Sequence, residues 1–328
     1  MKKVSIITSV YNGERFIDAY MNSVLRQTYR NIQLIIVNDG STDKSEERIL
    51  SYTERLREKG IEFYYKRKEN GGQASAINEG LKIITGDFVT WPDIDDQMHD
   101  NYIDKKVSYM EMHPEIDYLI TQSAIINIDS PDVILGYTWE VPPKSNEELL
   151  YRIITNTSFW YEPGNFFVSV EVLKCAIPTQ HIYDLCGKWS GAQIQMMLPI
   201  IYYGRYGYLR ECLYDYIIHE SNDHNKYKEK NDIMTKYDEG RKVLKNTIEK
   251  LDIPMQKRDE LIRLAEIRMT RMGMYSAFNK TDYDWYKYEM SRMPEGGITG
   301  KDKIKLLILK YHVLTRLCCM LKKLQSVK

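Results

Sequence analysis

The sequence predicts an α/β fold, a mainly parallel mixed sheet flanked by helices. Strand-like and helix-like patterns alternate through the first hundred residues in the order β-α-β-α-β-α-β. Each predicted strand is a short apolar run rich in β-branched residues, which is typical of strands buried on both faces. Polar loops follow three of these strands, and in such sheets ligands bind beyond the carboxyl ends of the strands.

The predicted elements follow one another closely in this first part. The strands cover 4–10, 32–37, 61–65 and 88–91, and the helices cover 16–25, 43–56 and 73–84. Asp43 can cap the second helix through its side-chain oxygen, and a Gly-Gly pair precedes the third helix. The strand–helix alternation therefore indicates a sheet covered by helices on both faces.

The pattern between residues 100 and 225 is mixed, and the chain beyond it is helical and highly charged. Further strands are predicted over 118–126, 166–170 and 206–218, and further helices over 102–112 and 192–203. Pro199 lies inside the last of these helices and predicts a kink or an early end, because proline lacks the backbone N–H. A domain boundary is expected near residue 225.

Composition excludes several classes of protein. The 328 residues carry 46 Lys and Arg against 46 Asp and Glu, which excludes a protein whose whole surface binds nucleic acid. The sequence has no uncharged apolar stretch of about 18 residues and no signal-peptide pattern before the first strand. Five scattered Cys without metal-ligand spacing indicate reduced thiols, so we expect a cytoplasmic protein.

An acidic cluster follows the fourth predicted strand and suggests a metal site. Asp93, Asp95 and Asp96 stand directly after that strand. Carboxylates one residue apart can present oxygens to Mg²⁺ or Mn²⁺, and such a cation can bridge a diphosphate. Most strings of this kind are solvated turns, so the prediction rests on the position at the strand end.

The loops after the other strands carry groups suited to a nucleobase. Asp39, at the end of the second strand, can accept a hydrogen bond from a base N–H, although an ordinary Asp-Gly-Ser turn is the alternative. Tyr11, at the end of the first strand, can stack on that base. Asn70, Gln73 and Asn78 surround a helix start, where backbone N–H groups and amides favour anions or hydroxyls.

Three motifs in order resemble the nucleotide-diphosphosugar glycosyltransferases of family 2, which have the GT-A fold. They read SIITSVYNGERFI, LIIVNDGSTDKS and ENGGQASAINEGLKIITGDFVTWPDIDD. The resemblance implies a GT-A domain over residues 1–225, with a nucleotide-binding half over 1–100 and an acceptor half over 101–225, before a helical region over 226–328. The later segments PGNFFVSVEVL and SGAQIQMMLPIIYYGRYGYLRECLYDY are similar to a subset associated with bacterial capsule and surface-polysaccharide assembly.

The resemblance also implies roles for single residues. Together with the residues above, it predicts a site for a nucleoside diphosphate, UDP in most members, made by Thr8, Val10, Tyr11, Asn12, Glu14, Asp39, Asn70, Gln73, Asn78 and Asp93. Asp95, Asp96 and His224 are the predicted ligands of Mn²⁺ or Mg²⁺, with His219 as the other candidate histidine. Which of the two aspartates lies closer to the cation stays open. The implied reaction inverts the anomeric centre, because a hydroxyl of a glycan or lipid-linked acceptor attacks directly while a carboxylate removes its proton.

The chain departs from the family pattern at this general base. Where the family has Glu-Asp at the start of a helix, this chain has Ala192-Gln193. An amide has no useful proton affinity near pH 7, so three interpretations stay open. The base comes from Asp184 or Glu162, or Gln193 only orients the acceptor, or the chain binds nucleotide sugar without transferring it. We expect an active enzyme, because the nucleotide and metal motifs are intact.

Residues 301–328 form a basic apolar tail with eight Lys and Arg against one Asp. Lys310 and Arg316 interrupt its apolar runs, so the tail does not predict a spanning helix. It either lies on an anionic membrane surface or packs against its own chain or a second copy. The expected partners are therefore a nucleotide sugar, a glycan or lipid-linked acceptor, and either a peripheral membrane contact or a homo-oligomer, without nucleic acid.

Overall fold

The computed structural model describes residues 1–138, 141–156, 162–182, 191–220, 222 and 229–311. Contacts divide the chain into two compact units, residues 1–226 and 227–328. Two predicted site residues, Asp184 and His224, lie outside the described residues, as does the tail beyond residue 311.

One mixed sheet forms the centre of the first unit. Its strands within the described residues are β1 (Val4–Val10), β2 (Ile32–Asn38), β3 (Glu62–Arg67), β4 (Phe88–Thr90), β5 (Gln97–Met98), β6 (Tyr118–Asn127), β7 (Ser130–Tyr137), β8 (Phe166–Ser169) and β9 (Tyr206–Ile218). Their order is β3-β2-β1-β4-β8-β6-β9-β5, with β7 paired to β6. The first four strands are mutually parallel, as predicted, and β8 joins them antiparallel to the second half of the sheet.

Helices flank this sheet, and the helix predicted over 43–56 differs from the sequence-based expectation. They are α1 (Glu14–Leu25), α2 (Ser45–Leu50), α3 (Thr53–Glu58), α4 (Gln73–Leu81), α5 (Tyr102–Met112), α6 (Asn146–Thr155), α7 (Val170–Ala176) and α8 (Ala192–Tyr203). The helix predicted over 43–56 is two helices, because the chain turns at Tyr52, whose hydroxyl donates to Asp18 at 3.0 Å. Of the two alternatives predicted for Pro199, a kink or an early end, the early end does not occur, since α8 spans the predicted residues 192–203 and residues 194–201 are all buried. Packing there outweighs the lost backbone hydrogen bond.

Close packing of helices on the first strands gives the site a rigid base. All of β2 and all but one residue of β1 are buried. Two polar residues inside these strands satisfy each other, because Ser5 donates its hydroxyl to the Gln33 side chain at 2.5 Å. Gly80 lets α4 approach β1, since a Cβ at that position would overlap the side chain of Ile7.

The second unit is helical in its described part. Its helices are α9 (Lys230–Glu249), α10 (Met255–Asn279), α11 (Tyr283–Ser291) and α12 (Gly300–Lys310). Arg241 and Glu289 form a buried ion pair at 2.6 Å, and the Trp285 indole N–H donates to Glu289 at 3.2 Å. Among the described helices, none combines the length and the apolar character that crossing a membrane requires.

Candidate functional site

Hydrogen bonds join the loops after β1 and β2. The backbone N–H groups of Asn12 and Glu14 donate to Ser41 Oγ and Asp43 Oδ2, each at 3.0 Å. In return, the Thr42 N–H donates to Asn12 Oδ1 at 2.8 Å. The predicted residues Asn12 and Glu14 therefore belong to a rigid edge at the carboxyl ends of the two strands.

Residues at the end of β1 lie at different depths. The ring of Tyr11 is 54% exposed, whereas Val10 and Thr8 are buried. Thr8 Oγ1 donates to the Pro92 carbonyl at 3.1 Å and lies 2.5 Å from the Tyr20 hydroxyl. Thr8 thus ties β1 to the loop after β4, and of these predicted site residues Tyr11 is the one that offers its side chain to solvent.

Asp39 is buried at the end of β2 and accepts three hydrogen bonds. Lys68 Nζ and the Gly71 N–H donate to Oδ1 at 2.8 and 3.0 Å, and the Gly72 N–H donates to Oδ2 at 2.7 Å. The two oxygens of a carboxylate offer about four acceptor positions, so Asp39 can accept from one further donor. The ion pair with Lys68 gave no signal in the sequence, because the two residues are 29 positions apart on different elements.

The acidic loop after β4 brings three carboxylates together. Asp93, Asp95 and Asp96 each contribute an oxygen, and these oxygens lie within 4.8 Å of one another. Asp96 is buried, and it accepts hydrogen bonds from the Tyr214 hydroxyl at 2.8 Å and the Ile217 N–H at 2.9 Å. Asp93 and Asp95 are partly exposed. The two outer carboxylates therefore face the site, and Asp96 anchors the loop to β9.

Glu162 is the predicted base candidate that lies near this cluster. Burial raises the pKa of Asp96 well above its usual value, and the charges of neighbouring carboxylates, Asp95 and Glu162 among them, add to the increase. Glu162 is itself 6% exposed and directly precedes a short 3₁₀-helix, Pro163–Asn165. The other candidate, Asp184, lies outside the described residues.

A buried lysine holds the segment that carries Glu162. Lys106 Nζ donates to the carbonyls of Gly164 and Asn165 at 2.8 and 3.3 Å, and it lies 3.9 Å from the centre of the Tyr102 ring. Burial holds the pKa of the Lys106 ammonium well below its usual value. The sequence did not single out this residue, because a lysine in a helix is ordinarily a solvated side chain.

The imidazole ring of His219 contacts the carboxylate of Asp95. Its Nε2 lies 2.9 Å from Asp95 Oδ2, and its Nδ1 lies 3.0 Å from Arg15 Nη2. A guanidinium can only donate, so Nδ1 accepts. Nε2 lies between Asp95 Oδ2 and Asn222 Nδ2, at 2.9 and 3.2 Å, and a hydrogen on Nε2 can be donated to the Asp95 carboxylate. The side chain of His219 is 2% exposed. The sequence favoured His224, which lies outside the described residues, and named His219 as the other candidate ligand of the cation; it did not predict a direct hydrogen bond between His219 and Asp95.

Two glutamines connect the acidic loop with the start of α8. Gln193 Nε2 donates to Gln73 Oε1 at 2.9 Å, and Gln73 Nε2 donates to Asp93 Oδ1 at 2.8 Å. The structure thus joins Gln73 and Asp93, which were both predicted to bind the nucleotide, to Gln193, which was assigned to the position of the base.

The remaining two predicted nucleotide residues differ in their surroundings. Asn78 is buried, and its amide makes two hydrogen bonds with the backbone of Ile182, at 3.0 and 2.8 Å. Asn70 is exposed in the loop before α4. Asn78 therefore holds the chain in place, and Asn70 stays accessible to a ligand.

Comparison with known proteins finds a family match over the first part of the chain. The family model described as glycosyl transferase family 2 matches residues 5–176. The chain is similar to the uncharacterized glycosyltransferase RC0461 of Rickettsia conorii, with 34% identity over 194 residues, 56% of this chain and 30% of that protein. It is also similar to the uncharacterized glycosyltransferase alr2836 of Nostoc, with 29% identity over 225 residues, 68% of this chain and 66% of that protein. The chain thus spans less than a third of the length of the first of these relatives.

Solved structures share the architecture. Staphylococcus aureus TarS 1-349 in complex with UDP-GlcNAc is similar with a TM-score of 0.65 and 18% identity, over 90% of this chain and 82% of that one. The mannosyltransferase PcManGT from Pyrobaculum calidifontis in complex with GDP-Man and Mn²⁺ has a TM-score of 0.52 and 13% identity, over 96% of this chain and 86% of that one. At these identities the likeness concerns the fold alone, and it confirms the predicted GT-A architecture.

Proposed function

The chain belongs to glycosyl transferase family 2, and from that premise we propose that it is an inverting, metal-dependent glycosyltransferase. It moves a sugar from a nucleoside diphosphate, expected to be UDP, to a hydroxyl of a glycan or lipid-linked acceptor. One observation carries the proposal: Tyr11, Asp39 and the acidic cluster 93–96 stand together at the carboxyl ends of β1, β2 and β4. That edge is where ligands bind in sheets of this kind.

The nucleobase is bound by Tyr11 and Asp39. The exposed ring of Tyr11 stacks on the base, and the free acceptor position of Asp39 takes a base N–H. Hydrogen bonds from Gly71 and Gly72 hold the Asp39 carboxylate in place before the nucleotide arrives, so binding costs little reorganisation.

The carboxylates of the acidic loop fit a hard divalent cation, Mn²⁺ or Mg²⁺. Their three oxygens lie close together, and such ions prefer carboxylate oxygen. Asp95 is the principal ligand, because Asp96 is buried and already accepts two hydrogen bonds. His219 orients Asp95 through the hydrogen bond from Nε2. When bound, the cation stabilises negative charge on the departing diphosphate.

Glu162 is the general base. The acceptor hydroxyl attacks the anomeric carbon, the bond from that carbon to the diphosphate oxygen breaks, and the electron pair leaves with the diphosphate. The hydroxyl proton passes to the Glu162 carboxylate, which lies near the acidic cluster. Lys106 positions the segment after Glu162 through the Gly164 and Asn165 carbonyls.

The experiment measures UDP release from a panel of UDP-hexoses and UDP-N-acetylhexosamines with Mn²⁺ present. The full chain is expected to release UDP from at least one donor, and Glu162→Gln is expected to lose this activity while UDP binding, measured by calorimetry, stays within about twofold. Exposed Glu58 supplies the matched control variant, Glu58→Gln, which is expected to keep wild-type activity. Equal rates for Glu162→Gln and wild type would refute the assignment of the base.

A nucleotide-sugar-binding protein without transferase activity is the second candidate. It is favoured by the amide of Gln193 at the position where the family has its base. This candidate predicts UDP binding without UDP release from any donor in the panel.

The proposed setting is surface-polysaccharide synthesis at the cytoplasmic face of a membrane. Support comes from the segments that resemble capsule transferases and from the basic apolar tail over residues 301–328. Basic side chains and apolar surface both favour binding to an anionic membrane. Such binding would bring the protein to a lipid-linked acceptor.

A further inference from the structure

The amide pair Gln73 and Gln193 has a fixed hydrogen-bond direction. Ionised Asp93 can only accept, so Gln73 presents its NH₂ group to that carboxylate and turns Oε1 the other way. Oε1 of Gln73 is an acceptor as well, so Gln193 must present its own NH₂ group. The charge of Asp93 therefore sets the orientation of both amides.

Both glutamines stand at helix starts, where the backbone holds them. Gln73 is the first residue of α4 and follows Gly72, which has a φ of 86° and donates to Asp39. Gln193 is the second residue of α8, and Gly191, directly before this helix, has a φ of 55°. Both side chains are partly buried. The hydrogen bond between these two amides thus connects the starts of two helices from distant parts of the sequence.

We propose that Gln193 is a positioning residue for the donor site, acting through Gln73 on Asp93. The inference rests on the proposed function and extends it, because it gives a role to the position where the expected base is missing. An amide is required there: a carboxylate at residue 193 could not donate to Gln73 Oε1. The start of α8 therefore holds the nucleotide–metal loop.

This arrangement couples the donor and acceptor sides of the site. Gln193 donates an N–H to Gln73, and the oxygen of the same amide is a group that can accept a hydrogen bond from an acceptor hydroxyl. A ligand that orders Gln193 also orders Asp93, and by linkage the nucleotide in turn favours binding at Gln193. Donor and acceptor are expected to bind with positive cooperativity.

The test is a double-mutant cycle on UDP binding, measured by calorimetry on the full chain with Mn²⁺. Gln73→Met removes a hydrogen bond to a charged group and is expected to weaken UDP binding about 10-fold or more; Gln193→Met removes a neutral one and is expected to weaken it about 3-fold. The double variant is expected to bind no more weakly than Gln73→Met, because Gln193 acts only through Gln73. Gln256→Met, at an exposed glutamine of α10, is expected to match wild type.

The outcomes separate this inference from the proposed function. Absence of UDP binding in wild type would refute both. Normal binding by wild type together with an unaffected Gln193→Met, or with losses that multiply in the double variant, would refute the inference alone. Thermal midpoints are measured for every variant. If Met at residue 193 lowers the midpoint, Gln193→Glu, which keeps the shape, lacks the donor and adds a negative charge near the diphosphate, must weaken UDP binding at least as much at an unchanged midpoint.

Discussion

Tyr11 has a large aromatic side chain that is about half exposed, beside the hydrogen-bonded loop that follows β1. Buried tyrosines are common elsewhere in the molecule. Tyr20 and Tyr102 are examples, and the hydroxyls of these two residues each have a hydrogen-bond partner. Tyr11 differs because its ring is 54% exposed at a strand end. An exposed ring held at that place is suited to stacking on a base.

Replacement of Tyr11 by alanine tests this role. Stacking of a base on an aromatic ring contributes about 1–3 kcal/mol, so Tyr11→Ala is expected to weaken UDP binding by about 5-fold to 150-fold in calorimetry. The free energy of unfolding should change little, since the side chain buries little surface. Tyr275→Ala, at a similarly exposed tyrosine of the second unit, is the control. Equal losses of affinity in both variants would contradict the stacking role.

At the residue scale, the sequence predicted groups that the structure brings together but not their partners. Asp93, Gln73 and Gln193 were all predicted, and they form one hydrogen-bonded chain. Lys68 and His219 were not predicted as partners of acidic residues. Residue type and strand-end position can be read from a sequence, whereas pairing across the fold depends on how strands are ordered.

At the scale of elements, the short 3₁₀-helix Pro163–Asn165 sets the position of Glu162 against β9. A Cβ added at Gly164 would overlap the Tyr214 ring, whose hydroxyl donates to Asp96. The close approach of this helix to β9 therefore requires glycine, and it links the base candidate to the acidic loop.

The variant Gly164→Ala is expected to destabilise the fold by about 1–3 kcal/mol through overpacking. Because Tyr214 must shift, the hydrogen bond to Asp96 weakens, and UDP binding with Mn²⁺ should weaken as well. Urea denaturation and calorimetry measure the two effects. Gly136→Ala is the control, since a Cβ there meets nothing within 4 Å. An unchanged urea midpoint for Gly164→Ala would contradict the packing argument.

Glu79 joins α4 to the edge strand β3 and predicts a pH dependence. The hydrogen bond from Lys66 has the largest effect on the pKa of Glu79, and the one from Lys82 adds to it. Together they lower this pKa from 4.5 to about 2. A folded-state pKa below the unfolded value stabilises the fold above pH 4.5, and the contribution is lost as the pH falls towards 2. Both lysines are half exposed, so the contribution is about 0.2–1 kcal/mol.

Accordingly, Glu79→Gln is expected to lower the free energy of unfolding at pH 7 and to match wild type near pH 2. Urea denaturation at several pH values measures the difference, and exposed Glu58→Gln is the control. A difference between Glu79→Gln and wild type that stays constant over this range would exclude the ion pairs as its cause.

Elements with a clear hydrophobic pattern were predicted closely, and two strands without one were missed. The sequence predicted β1, α5 and β9 with their observed ends. It missed β5, which has two residues, and β7, whose side chains are mostly exposed and show no alternation. A strand held by one neighbour leaves little hydrophobic pattern, so its existence depends on tertiary pairing.

At the scale of the whole molecule, the described part of the tail belongs to the second unit. The Tyr286 hydroxyl donates to the Asp302 carbonyl at 3.2 Å, and Leu309 is buried. Ile304 and Leu307 on the same helix are exposed. Truncation at residue 301 would therefore damage this unit, whereas truncation after Tyr311 removes only the later part of the tail.

Removal of residues 312–328 is expected to reduce sedimentation of the protein with anionic vesicles. The physical reason is that Arg316, Lys322 and Lys323 leave with the apolar residues between them. Zwitterionic vesicles are the control. Unchanged sedimentation would remove the membrane alternative, and a fall in oligomeric state would then support packing against a second copy.

The proposed function of the whole molecule requires a nucleotide that binds together with a divalent cation. Calorimetric titration of the full chain with UDP, in Mn²⁺ and then in excess chelator, tests this most directly, with Asp95→Asn and the exposed control Asp129→Asn alongside. We predict that chelation and Asp95→Asn each weaken UDP binding by about tenfold or more, and that Asp129→Asn matches wild type. Equal UDP affinity with Mn²⁺ and with chelator, or no UDP binding under either condition, would contradict the account.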